Sequence, residues 1–284
     1  GIALLTLFKV APCAHGTCVA WSPMATGQEM ELGFKRSEMH SEKLAGTVKS
    51  FQKHIFLTWG LADEWPEDPF DQKHKGTLPV TLDDAISKAK KEIKGKVRIT
   101  LVERTSDQKD GVVMLYPECL EFDIGSAGAK VPELMAFLKG DMARGAFGRD
   151  IEDTTLFVCA HTQRDGRCGF CGPKLTAKAL ELTQEVPKMR IRKCSHVGGH
   201  KYAGNVMVYG KDQWHWYGYV TPENLRSVLR GKAQHGRLWR GLGISENDAL
   251  RERRNQVLLD TVPLTVLVVS ILGITYGWWK RRST

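Results

Sequence analysis

The chain has 284 residues, 42% of them hydrophobic and 26% charged, enough for about two globular units at roughly 150 residues each, which excludes a collagen-like, disordered or polytopic membrane protein. Of the formal charge of +9, residues 231–284 alone contribute nine Lys/Arg against four Asp/Glu; the rest of the chain has no basic run, so no nucleic-acid partner is expected. The seven cysteines are too few and too unevenly placed for a disulfide scaffold, and four of them fall within residues 159–194 beside two histidines, a clustering that points to metal or redox chemistry in a reducing compartment.

Residue 1 is Gly rather than Met, which fits a trimmed N-terminus or a cleaved presequence. Residues 1–45 carry Gly, Pro and polar residues without sustained periodicity and read as an irregular lead-in, with Cys13 and Cys18 as unused loop thiols. A strand is expected over 55–59, followed by an acidic, Pro-containing loop over 64–69. Thr81 with Asp84 three residues on reads as a capping box, and Leu82, Ala85, Ile86, Ala89 and Ile93 form an apolar stripe at helical spacing. Strands follow over 97–102 and 112–116, then a short helix over 131–138 with Pro132 at its first position.

The second half repeats this order. It predicts a strand over 155–158, a glycine-bearing loop, a helix over 173–186, a strand over 189–192, a further loop and a strand over 205–209. A hairpin turn at 211–213 leads to a strand over 214–220 and a helix begun by Thr221, Pro222 and Glu223. A β-α-β unit followed by a β-hairpin and a helix is a thioredoxin-like arrangement, and its recurrence predicts an α/β protein of two tandem thioredoxin-like lobes. The expected division is a lead-in over 1–45, a first lobe over 46–150, a second over 151–232 and a linker over 233–256.

Residues 262–279 contain no charge, and as a helix they would reach about 27 Å, near the hydrocarbon thickness of a bilayer. Arg251, Arg253 and Arg254 precede them, and Tyr276, Trp278, Trp279, Lys280, Arg281 and Arg282 close the far end, as at a membrane interface. A single transmembrane helix over 257–279 with a basic tail over 280–284 is therefore expected, with lipid as its partner. The chemistry-bearing segments are Cys159-Ala-His-Thr-Gln-Arg-Asp-Gly-Arg-Cys168-Gly-Phe-Cys171 and Cys194-Ser-His196-Val-Gly-Gly-His200. Gly198 and Gly199 disfavour a helix between the histidines, so these converge from a loop. Arg164, Asp165 and Arg167 share the first loop, either orienting a redox partner or standing as solvated charges, and His161 reads either as a support for a ligand or as a core histidine.

These two segments, with the later Tyr217-Gly-Tyr-Val-Thr-Pro-Glu-Asn224, resemble the sucraseferredoxin-like proteins over roughly residues 46–232. The resemblance implies tandem thioredoxin-like lobes and a 2Fe-2S cluster in the second, held by Cys159, Cys168, His196 and His200. Two thiolates and two neutral imidazoles leave an oxidised cluster uncharged where four thiolates leave it doubly negative, so the potential should lie well above that of plant-type ferredoxins, as in Rieske centres at about −150 to +300 mV. The expected role is electron transfer with a redox protein or respiratory-complex subunits as partner, in a mitochondrial membrane, the inner one favoured over an outer-membrane or endoplasmic-reticulum tail anchor. Three other readings use the same residues: a structural accessory subunit of a membrane complex, a dithiol oxidoreductase using Cys168 and Cys171, and a zinc site of Cys168, Cys171, His196 and His200. No phosphate loop, nucleophile elbow or carboxylate pair stands out.

Overall fold

A computed structural model describes residues 27–241 apart from 40, 42, 43, 45, 46, 147, 187, 212 and 232–237. The expected membrane helix over 257–279, its basic tail, Cys13 and Cys18 lie outside the described residues; among the described residues no helix is long and apolar enough to cross a membrane. A five-residue helix α1 (Gly27–Glu31) is followed by β1 (Lys53–Thr58), α2 (Leu78–Lys88), β2 (Val97–Val102), β3 (Val112–Tyr116), β4 (Leu120–Asp123), α3 (Val131–Lys139) and β5 (Arg149–Asp150). The order then recurs with β6 (Thr154–Cys159), α4 (Gly166–Leu182), β7 (Met189–Cys194), β8 (Val206–Gly210), β9 (Gln213–Tyr217) and α5 (Pro222–Leu229), and a last strand, β10 (Leu238–Gly241), pairs with β9.

In each half the first two strands are parallel across a helical crossover and the next two are antiparallel, giving the neighbours β2-β1-β3-β4 and β7-β6-β8-β9. This is a mixed α/β, thioredoxin-like fold carried by one ten-stranded sheet. The halves join through one antiparallel step, Val102 opposite Cys194, flanked by backbone bonds from Glu103 N to Lys193 O and from Ser195 N to Leu101 O.

Both faces of β1, β3, β6 and β8 are buried, which is why these read as near-continuous apolar runs. Ile55, Leu57, Leu101, Val113 and Leu115 face α2 and α3, while Leu156, Val158, Val206 and Val208 face α4 and α5. The alternate residues, among them Phe56, Tyr116, Phe157, Tyr209 and Trp216, form a third core. In a flat sheet β1 and β6 would stand about 14 Å apart, at ~4.8 Å per strand. Instead the rings of Phe56 and Phe157 touch, and Arg190 on β7 pairs with the buried Glu121 on β4 at 2.9 Å. The sheet therefore folds over at the β7–β2 step, and the helix-free faces of its two halves pack on each other.

Several local expectations shift. Helix α2 starts at Leu78 behind Thr77, so Thr81 lies inside it and donates to Thr77 O at 2.9 Å, and the capping box is absent. The box forms instead at α5, where Thr221 N donates to Asn224 Oδ1 and Asn224 Nδ2 to Thr221 Oγ1. Helix α4 begins seven residues before Pro173, because Asp165 caps it by accepting Arg167 N at 3.0 Å. Cys168 and Cys171 thus ride on the first turns of a helix.

Candidate metal centre

Cys159 closes β6 and Cys194 closes β7 in register beside it, so both stand at the carboxyl ends of parallel strands, where α/β sheets present their ligand-bearing loops. From Cys159 the chain crosses to α4, whose first turn carries the buried Cys168. Gly169 and Gly172 let this helix lie against the crossing: a Cβ on Gly172 would meet Cys159 O at 2.5 Å, and one on Gly169 would meet Thr162 Oγ1 at 2.5 Å. Beyond β7 the loop 195–199 brings in His196. Gly198 (φ 85) and Gly199 (φ 61) take left-handed backbone there, and the buried Asn205 holds them by donating Nδ2 to Gly199 O at 3.0 Å.

Sulfurs of Cys159 and Cys168 and a ring nitrogen of His196 all lie within 4.8 Å of one another, with Cys168 Sγ 3.6 Å from His196 Nδ1. The hydrogen bond from Cys168 holds the Cys159 thiol well below its ordinary range against the opposing effect of burial, with His196 and the Val197 N–H adding to it. The same bond, together with burial, pushes the Cys168 thiol well up. Two adjacent cysteine sulfurs next to an imidazole are the donor chemistry of a soft-metal or iron–sulfur site. Burial pushes the Cys194 thiol up, and the charge on Cys159 adds to that.

His161 braces this group. Its Nε2–H donates to Pro66 O at 2.9 Å and its Nδ1 accepts the His196 backbone N–H at 3.3 Å, an arrangement that requires the neutral ring; burial lowers its pKa accordingly. The first half of the chain also reaches the loop through Leu101 N, which donates to Ser195 Oγ at 2.9 Å, and through Arg98 Nη2, which donates to Val197 O at 2.6 Å. A cleft of about 270 Å3 opens beside His196, lined by Arg98, His161, Arg164, Ser195 and the 67–70 loop.

His200 stands outside the compact group. It begins a short 3-10 turn, is exposed, lies against the His196 ring at 5.8 Å between centroids, and has Nδ1 3.8 Å from Asp165 Oδ2. Cys171 also lies outside it: its thiol donates to Leu32 O at 3.4 Å with Arg36 Nη1 at 3.6 Å, and burial pushes it up to about 11. A dithiol pair of Cys168 and Cys171 therefore has two raised thiols, the opposite of an activated one. Arg36 further donates Nη2 to Ala203 O at 3.0 Å. Residues 27–39, read from sequence as part of an irregular lead-in, thus pack on the loop that follows His200; an isolated arginine there gives no periodic signal.

Residues 44–242 match the sucrase/ferredoxin-like family, well over half of the chain. The chain belongs to the sucrase/ferredoxin-like family. Among curated relatives, proteins called altered inheritance of mitochondria protein 32 are similar to this family member. That of Clavispora lusitaniae is 39% identical over 90 residues, 31% of this chain and 33% of the relative. That of Saccharomyces cerevisiae strain YJM789 is 36% identical over 103 residues, 32% of each. The match thus spans about a third of the length of these relatives. Among solved structures, a thioredoxin-like 2Fe-2S ferredoxin from Aquifex aeolicus aligns over 33% of this chain and 96% of its own, at 19% identity and a TM-score of 0.28.

Proposed function

We propose that this sucrase/ferredoxin-like protein is a one-electron carrier that holds a 2Fe-2S cluster through Cys159, Cys168, His196 and His200. The observation that carries the reading is the convergence of the Cys159, Cys168 and His196 donor atoms within 4.8 Å at the strand ends. The donor set fits the group: two adjacent cysteine sulfurs can each become a thiolate ligand on metal binding, and His161 fixes the backbone of the histidine beside them. His200, exposed next to His196, supplies the fourth ligand and the side from which a partner approaches. A cluster so bound transfers single electrons at a potential raised by its imidazole ligands.

Residues 257–279 anchor the protein in a membrane, a reading supported by their uncharged sequence between basic and aromatic flanks. The relatives' name supports a mitochondrial link; the mitochondrial membrane, with a redox protein or a respiratory-complex subunit as partner, belongs to the same proposal. Iron and acid-labile sulfide analysis of the purified protein tests the cluster. Equal amounts of the two, lost in Cys159→Ser, are expected; zinc alone, or neither metal nor sulfide, contradicts it. Alkaline extraction of mitochondrial membranes tests the anchor: the chain should stay with the lipid and be released when 257–279 is deleted.

A further inference from the structure

Arg98 is a half-buried cation with no counterion among the described residues. It projects from β2 toward the centre, its Nε is sealed from water and has no acceptor, and among the described residues it has no ion-pair partner. Its guanidinium lies 5.2 Å from the Trp216 ring and 6.0 Å from that of Phe51, and its Nη2 donates to Val197 O at 2.6 Å. Its neighbour in register on β1, His54, is a fully buried ring hydrogen-bonded to Tyr209 and Thr100 and cannot supply a negative charge. Val197 gives its carbonyl to Arg98 and its N–H to Cys159 Sγ, so a single residue links the guanidinium to a proposed ligand. Burial acts most strongly on Arg98 and lowers its pKa, and the ionisable groups that act against this are Tyr209 and the thiols of Cys194 and Cys159.

A guanidinium whose Nε is shut off from water without an acceptor is retained at a cost in stability unless something meets its charge. Resting on the electron-carrier reading, we infer that Arg98 is the fixed countercharge of the metal centre: a positioning residue, contributed by the first half of the chain, that holds the ligand loop and favours the reduced cluster. The electron comes from a one-electron donor protein, which is oxidised as the cluster is reduced; no bond or proton changes at Arg98, and the added negative charge is met by the guanidinium.

The test is a redox titration of the whole chain and of Arg98→Gln, Arg98→Met and Arg98→Lys, each first assayed for iron and labile sulfide. The midpoint should fall in the Gln and Met variants and stay closer to wild type in Lys, with iron content unchanged. A fully loaded Gln or Met variant with the wild-type midpoint overturns the inference. So does loss of iron from all three variants, because that describes a scaffold residue. If the wild-type protein itself carries no iron and sulfide, the electron-carrier reading is what fails, and this control separates the two.

Discussion

The rings of Phe56 and Phe157 lie face to face, 3.7 Å between centroids and 2° between planes. One comes from β1 and the other from β6, strands three steps apart in the sheet, so this contact marks where the two half-sheets fold onto each other. Tyr116 and Tyr209 close around the pair edge-on. The loops that carry the candidate metal ligands hang from the seam beside this core, so their geometry depends on the two halves staying together.

Phe157→Ala should therefore destabilise the protein by about 3–5 kcal/mol, as for other large-to-small changes in a packed core. Combined with Phe56→Ala it should show a coupling of roughly 0.5–1.5 kcal/mol in a double-mutant cycle. Urea unfolding of the four proteins checks this, and strictly additive losses would mean that the two rings do not meet.

Gly172→Ala adds one methyl where Cys159 O and Ala160 already stand 2.5–2.6 Å from the new Cβ. Helix α4 must move away from the end of β6, which should cost about 1–3 kcal/mol. Because α4 carries Cys168, iron content should drop as well; Gly140→Ala, at a helix end with open space around it, should leave iron content unchanged.

Acidification should weaken the fold through His54. Trp216 Nε1 donates to Tyr209 OH, which leaves that hydroxyl proton for His54 Nδ1 and the Nε2–H of His54 for Thr100 Oγ1. Burial, and then the nearby Arg98 charge, hold the His54 pKa well below 6.5. The unfolded chain therefore takes up a proton as pH falls through about 6.5 and the folded chain does not, so stability is lost on the acid side at up to about 1.4 kcal/mol per pH unit. His54→Gln should flatten the dependence by that amount between pH 7.5 and 5; equal slopes for the two proteins would contradict it.

The two cysteines of α4 should behave differently. Cys168→Ser removes a sulfur from the convergent group and should abolish iron binding, whereas Cys171→Ser changes a thiol bonded to Leu32 O and should keep iron and visible absorbance. Loss of iron from both variants in equal measure would favour a zinc or dithiol site built on the pair.

Much of this was legible from residue order alone where local pattern and tertiary context agree. The β-branched run of β2 and the apolar run of β3 have the expected bounds, 97–102 and 112–116. The start of α4 was hidden because Gly166, Gly169 and Gly172 weaken helical propensity, and only the Asp165 cap and the close approach to Ala160 show why glycine suits those positions. Short pairings such as β4, β5 and β10 exist through their neighbours and have no pattern of their own. The family resemblance, not spacing alone, brought Cys159, Cys168, His196 and His200 together, yet the left-handed Gly198–Gly199 turn sets His200 apart from the other three. The roles of Arg98, Pro66 and Arg36 depend on contacts between distant segments, which one-dimensional order does not encode.

The central claim is a cluster bound by both sulfur and nitrogen. Electron paramagnetic resonance of the reduced whole chain, with pulsed detection of nitrogen couplings, tests it most directly. The expected result is a single-electron 2Fe-2S signal of Rieske type carrying strongly coupled histidine nitrogens, diminished in His196→Ala. A signal without those couplings, identical in His196→Ala, or no signal from a protein that holds only zinc, would contradict it.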